Sequence, residues 1–134
     1  MSAVGLLMRM YMGWDRENEV LGTGVARLAK SGPSVGEKPN MYYNYYATQV
    51  MHHYHKPESK EWEKWNEKMR DFLVETQEKE GHMAGSWFWG KDGGHHTKAG
   101  GRIYTTSMST MILEVYYRHM PLYQTEASED DFQL

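Results

Sequence analysis

The sequence predicts an all-α chain of about five helices arranged as α/α pairs. Apolar residues recur at steps of three and four in five separate stretches, the period of an amphipathic helix. Glycine, proline and Ser/Asn cap residues fall between those stretches, where helices stop and start. Nearly apolar stretches alternate with strongly amphipathic ones, giving the order inner, outer, inner, outer, inner, a weak repeat of about 45 to 60 residues of the helical-pair kind.

Taken in order, Ala3 to Trp14 places Val4, Leu7, Met8 and Tyr11 on one stripe, and Leu6 and Met10 make most of the rest apolar. That pattern predicts a buried helix. Asp15 to Asn18 supply cap-type residues for a second, outer helix bearing Leu21, Val25 and Leu28, which Ser31-Gly32-Pro33 stops. Ser34 to Pro39 is a loop. Asn40 caps a third helix, Met41 to His55, aromatic nearly all round through Tyr42, Tyr43, Tyr45, Tyr46 and Tyr54.

Pro57 and Ser59 open the fourth helix, in which Trp62, Trp65, Met69, Phe72, Leu73 and Thr76 share one face while the other is charged throughout; it is expected to close on Gly81. Gly81 to Arg102 contains too much glycine for a regular element and is expected to be a loop. The last helix, Tyr104 to His119, is expected to bury Tyr104, Met108, Met111, Ile112 and Val115 and to end before Pro121. Residues 1–123 thus form one helical-repeat domain, and Gln124 to Leu134, with Glu126, Glu129, Asp130 and Asp131, is expected to be a solvated, disordered acidic tail.

Composition narrows the function. With 15 basic and 18 acidic residues the net charge is -3, so no basic footprint for nucleic acid is present. The absence of cysteine removes disulfides, thiolate metal sites and thiol catalysis together. Ala3 to Trp14 is too short to span a bilayer, which takes about 20 apolar residues, and lacks the basic flank of a signal peptide; the default location is cytoplasmic.

The stretch from Arg70 to Trp89 carries the family signature. A leucine-bearing outer helix followed by Gln77, Gly81 and Gly85-Ser86-Trp87 resembles the Q…G-x-W repeat of the squalene cyclase and prenyltransferase superfamily. Gly101-Arg102-Ile103-Tyr104-Thr105-Thr106, with Leu113 to Arg118 and Met120-Pro121-Leu122-Tyr123, is similar to the C-terminal repeat region of related bacterial repeat proteins. The resemblance implies a partial α/α toroid in which Gln77 caps a helix end and Trp87 stacks on a neighbouring repeat, with Gly81 or Gly85 as the repeat's glycine.

Two departures qualify what it implies. The Gln77 to Gly85 spacing is longer than the usual one, and the acidic D-x-D-D or metal-binding aspartate motifs of such enzymes are missing, since the adjacent aspartates Asp130 and Asp131 lie in the tail. The expectation is therefore a non-catalytic binding or scaffold domain with an aromatic concave surface and no catalytic residue, cofactor or metal. The alternative is the C-terminal part of a terpenoid cyclase or prenyltransferase-type enzyme whose acids lie outside this chain. A short arc of such repeats leaves an apolar end uncovered, so expected partners are a second copy, the remainder of a longer chain, or an isoprenoid-like or peptide ligand.

Candidate ligand contacts are Tyr42, Tyr45, Tyr46 and His53, because aromatic faces attract apolar and cationic groups. The plainer reading is that these rings pack the bundle centre. His52 and His55 share a helix face, and His82, His95 and His96 lie in the glycine-rich stretch, but no accompanying carboxylate motif makes them a metal site. The loop from Gly90 to Arg102 matches no phosphate-binding pattern, and Ser107 and Ser109 lack a nucleophile elbow.

Overall fold

The computed structural model describes residues 3–90, 94 and 96–115. Five α-helices follow one another: α1 (Ala3–Tyr11), α2 (Glu19–Ser31), α3 (Met41–Tyr54), α4 (Lys60–Thr76) and α5 (Thr97–Leu113). One 3-10 turn, Gly81–Met83, lies between α4 and α5, and there is no strand among the described residues. The fold class is all-α, as the periodicity predicts.

Local chemistry sets the helix ends. Asn18 Oδ1 accepts from the amides of Val20 and Leu21, Asn40 Oδ1 from Tyr43, and Ser59 Oγ from Trp62, so the N-termini of α2, α3 and α4 carry side-chain caps. Gly32 at φ 71° ends α2. Helix α1 stops at Tyr11, three residues before the expected end. Gly13 there adopts φ 80°, its amide donates to Met10 and that of Trp14 to Arg9, the paired bonds of a left-handed glycine terminus.

Helix α3 is the hub. It packs against α1, α2, α4 and α5, and α2 also packs against α1, so α1, α3 and α5 lie in a row with α3 in the middle. Its burial is correspondingly broad: Ala47, Val50 and Met51 are inside, and so are Asn44, Thr48, Gln49, His52 and His53. The polar members are tied down. Asn44 is wholly buried and pairs with both backbone groups of Ser34, accepting from its amide and donating to its carbonyl, each at 2.8 Å. Thr48 Oγ1 accepts from Trp65 Nε1 at 3.0 Å, joining α3 to α4.

Two apolar clusters result. One gathers residues of α1, α2 and α3 with Trp62, Trp65 and Val115; the other joins Met41, Met69, Leu73, Trp87 and Ile112. Helix α1 approaches α2 at Gly24, where a Cβ would lie 2.4 Å from Leu6 Cδ2.

Four expectations need correction. The buried stripe of α1 is Ala3, Leu6, Leu7 and Met10, and Met8 and Tyr11 are exposed, because α2 and α3 cover only that side. Helix α4 ends at Thr76, before Gly81: the Gln77 amide still donates to the Leu73 carbonyl, but the backbone turns extended at Gln77, so the helix goes no further. Part of the glycine-rich stretch is helical: α5 begins at Thr97, and Gly101, at φ 60° and ψ -154°, kinks it rather than stopping it. The buried face of α5 is Thr97, Thr105, Ser109 and Ile112; Tyr104, Met108 and Met111 are half-buried. Hydroxyls whose bonds are made locally, such as Ser109 Oγ to the Thr105 carbonyl at 2.8 Å, replace bulkier methionines there. The expected helical residues 116–119 and the acidic tail lie outside the described residues.

Candidate functional site

The tyrosines singled out in the sequence come together. On α3, Tyr42 and Tyr46 have ring centroids 4.8 Å apart and Tyr45 and Tyr46 5.0 Å apart, all three half-buried. Spacings of three and four residues on one helix bring 42, 45 and 46 to one side. Tyr43 points elsewhere: its hydroxyl donates to the Gly32 carbonyl at 3.0 Å and its ring meets Trp65 edge-on.

Neighbouring helices extend the patch. From α5, Tyr104 reaches the same phenols, and His96, at the N-cap of α5, puts its ring 5.7 Å from Tyr42 and 6.2 Å from Tyr104. Among the described residues His96 is the one non-glycine with positive φ, at 66°. Two residues before it, Gly94 lies so close to the chain that a Cβ would be 2.1 Å from the Pro39 carbonyl oxygen, which draws this backbone against the start of α3. From α1, Tyr11 joins at the other side, half exposed.

His53 occupies a different position from the three α3 tyrosines. It is 1% exposed, beneath Tyr11, whose hydroxyl lies 3.5 Å from His53 Nε2 and whose ring meets the imidazole edge-on at 5.8 Å.

Three of the phenols, Tyr46, Tyr104 and Tyr11, hold their protons more firmly than a free tyrosine. Burial pushes Tyr46 up, and a hydrogen bond shared with Tyr42 and the proximity of Tyr42 and Tyr45 push it further. Burial and then Tyr42 and Tyr46 raise Tyr104; burial and then Tyr45 raise Tyr11. At neutral pH Tyr46, Tyr104 and Tyr11 are thus neutral phenols, aromatic faces and edges with hydroxyl donors. The Tyr104 hydroxyl is buried and has no hydrogen-bond partner among the described residues.

The motif residues make a second constellation. Trp87 is 3% exposed; its Nε1 donates to the Leu73 carbonyl at 2.7 Å. Its backbone is held on both sides by α5, the amide donating to Thr106 Oγ1 at 3.1 Å and the carbonyl accepting from Thr105 Oγ1. Gln77 is the C-cap of α4, and its side chain donates to the Gly85 carbonyl at 3.1 Å, closing the turn that contains Gly81 at φ 66° and Gly85 at φ 84°. Trp89 stacks on Phe72, the rings 5.7 Å apart and nearly parallel. Arg102 reaches back to Ser86 Oγ at 2.8 Å and lies over the Phe88 ring.

Among the described residues no three His, Asp or Glu side chains come together to hold a metal ion, and no helix is long and apolar enough to cross a membrane. Sequence reading missed three members of the patch. The apolar periodicity places Tyr11 and Tyr104 on buried stripes, and the glycine content places His96 in a loop. The pairing of Gly94 with a helix start three residues on was the available signal. An open groove of about 740 Å³ also runs along α2, lined by Val20, Arg27, Leu28, Pro33 and Tyr43, none of them foreseen as ligand contacts.

Comparison with protein-family models, with curated proteins and with solved structures finds no match to this chain.

Proposed function

We propose that this chain is a non-catalytic helical-repeat binding domain whose tyrosine patch takes a lipid-like, isoprenoid-type ligand. One observation carries the reading: Tyr11, Tyr42, Tyr45, Tyr46 and Tyr104, drawn from α1, α3 and α5, converge on a single aromatic patch, half-buried at Tyr42, Tyr45, Tyr46 and Tyr104 and exposed at Tyr11 and His96. Rings that served only as packing would be covered, as Trp62 and Trp65 are. Neutral phenols offer flat apolar area at low entropic cost, and their hydroxyls supply donors for a polar head.

The reading as an arc of an α/α toroid of the squalene cyclase and prenyltransferase type is supported by the row α1, α3, α5 and by the Gln77 and Trp87 turn that ties α4 to α5. The same turn favours the second reading, that the chain is part of a cyclase-type enzyme whose acids lie outside it.

The test is titration of a long-chain isoprenoid alcohol into the protein, observed by NMR of the tyrosine rings. Binding should shift Tyr42, Tyr46 and Tyr104 signals, and a Tyr42→Ala/Tyr46→Ala variant should lose the shifts while keeping its helical circular dichroism. Ring signals that stay in place at saturating alcohol would overturn the proposal.

A further inference from the structure

The groove along α2 is unused by that reading. It encloses about 740 Å³, within the range of roughly 300–1,000 Å³ common for ligand sites, and one stripe of α2 lines it opposite the turn that follows the helix. Its apolar part is built of Val20 and Leu28 from α2, Pro33 from the turn and the Tyr43 ring from α3. The wall opposite α2 is fixed in place. Tyr43 donates its hydroxyl to the Gly32 carbonyl at 3.0 Å and sets its ring against Trp65, while Asn44 holds both backbone groups of Ser34. Val20 is 58% exposed, an apolar side chain left open in the groove.

Charges of opposite sign mark its two ends. Glu19 and Arg27 both line the groove, eight residues apart on α2 and hence about 12 Å apart along its axis. Both are exposed, and neither forms an ion pair or a side-chain hydrogen bond among the described residues. The positions one turn away on α2 hold no counter-charge: Gly22 and Thr23 follow Glu19, and Thr23, Gly24, Lys30 and Ser31 flank Arg27. Helix-end electrostatics accounts for Glu19 in the first turn and Lys30 in the last, but not for Arg27 one turn earlier. Midway between the two charges, Thr23 brings a hydroxyl to the same lining.

We propose that this groove binds a short peptide with both ends free, three or four residues long, its ammonium at Glu19 and its carboxylate at Arg27. Extended residues span about 3.3–3.6 Å each, so three or four of them cover about 10–14 Å, the separation of the two charges. The planar guanidinium fork suits a terminal carboxylate, which it takes in two parallel bonds. Between the ends, apolar side chains of the peptide meet Val20, Leu28, Pro33 and the Tyr43 ring, and the Thr23 hydroxyl supplies a partner for a peptide group. A dipeptide is too short to reach both charges, and a longer chain cannot set a free terminus at each. The inference does not rest on the tyrosine patch, since Tyr43 points away from it.

Titration of the tetrapeptide Ala-Leu-Leu-Ala into the full-length protein, followed by amide NMR, tests this. The expected shifts cluster around Val20, Arg27 and Tyr43. Amidating the peptide's C-terminus or acetylating its N-terminus should each weaken binding about three- to tenfold. Arg27→Gln should weaken the free peptide by the same factor and leave the amidated one unaffected, and Glu19→Gln should do likewise with the acetylated one. Both positions are exposed, so the variants should keep their helix content. Lys30→Gln, outside the lining, should change nothing. An ω-aminooctanoate spans a similar distance without amide groups, and binding as tight as the peptide's would overturn the assignment to peptides. So would an absence of shifts at ~10 mM peptide, well into the range of weak sites. Blocked ends that bind equally well, or an equal loss in Lys30→Gln, would overturn it too.

Discussion

Trp87 Nε1 donates to the Leu73 carbonyl 2.7 Å away, and the Gln77 amide donates to the same oxygen at 3.1 Å. One carbonyl in the last turn of α4 therefore takes two donors, one from the helix's own continuation and one from a residue fourteen positions on. Since Thr105 and Thr106 of α5 hold the Trp87 backbone, that residue is the bolt between α4 and α5.

Trp87→Phe should therefore be milder than Trp87→Ala by a readable margin. Phenylalanine keeps most of the buried ring and leaves the Leu73 carbonyl its Gln77 donor, so the loss is about one hydrogen bond, roughly 1–2 kcal/mol. Alanine empties the cluster of Met41, Met69, Leu73 and Ile112 and should cost about 3–5 kcal/mol. Urea denaturation followed by circular dichroism measures both, and equal losses would mean that the ring volume does not matter.

Gly24 offers a test of close helix approach. An alanine there gains about 1 kcal/mol of helix propensity yet puts its Cβ 2.4 Å from a methyl of Leu6, which is itself buried and cannot swing away. Overpacking of this kind costs about 1–3 kcal/mol, so Gly24→Ala should destabilise on balance. In that background Leu6→Ala should cost less than it does alone, and the thermodynamic cycle of the two changes gives the coupling directly.

Asn44→Ala should be among the most damaging single changes in the chain. It removes both bonds to Ser34 and leaves an amide and a carbonyl of that residue short of partners, about 2–4 kcal/mol for two orphaned groups. Asn44→Asp keeps the acceptor for the Ser34 amide but loses the donor and buries a carboxyl, so it should rescue little. Thermal denaturation of the three proteins at one pH orders them.

The parts of this fold legible in the sequence are those with local causes. Asn18, Asn40 and Ser59 cap their helices because a side-chain oxygen two or three residues before a free amide needs nothing from the rest of the molecule. The α4 stripe of Trp62, Trp65, Met69 and Leu73 is likewise plain, for the opposite face is charged and only one orientation is possible. Helix α1 was not legible in the same way, since a helix apolar all round does not reveal which side its neighbours cover. Nor was α5, where glycines that read as a loop serve as a kink and the Thr105 and Thr106 hydroxyls fix a tryptophan's backbone from eighteen and nineteen residues away in sequence. In the aromatic patch, Tyr42, Tyr45 and Tyr46 follow from spacing along one helix, whereas Tyr11, His96 and Tyr104 arrive by tertiary packing, which no local pattern encodes.

His55 gives the chain a pH dependence with a definite sign. It caps the end of α3 beside Arg16 and Tyr54, and its Nε2 is buried without a hydrogen-bond partner among the described residues. Burial lowers its pKa from the ordinary 6.5, the Arg16 guanidinium lowers it further, and Glu61 offsets part of the effect. Because the folded value lies below the unfolded one, the unfolded chain binds more protons between the two. The contribution of His55 is then complete above pH 6.5 and is lost as the pH falls from there toward the folded value. His55→Gln, which carries no titrating group, should flatten this part of the stability profile and leave the region above neutrality unchanged in slope. Urea midpoints measured from pH 8 down to pH 5 on both proteins check it; parallel profiles would show that His55 does not titrate differently on folding.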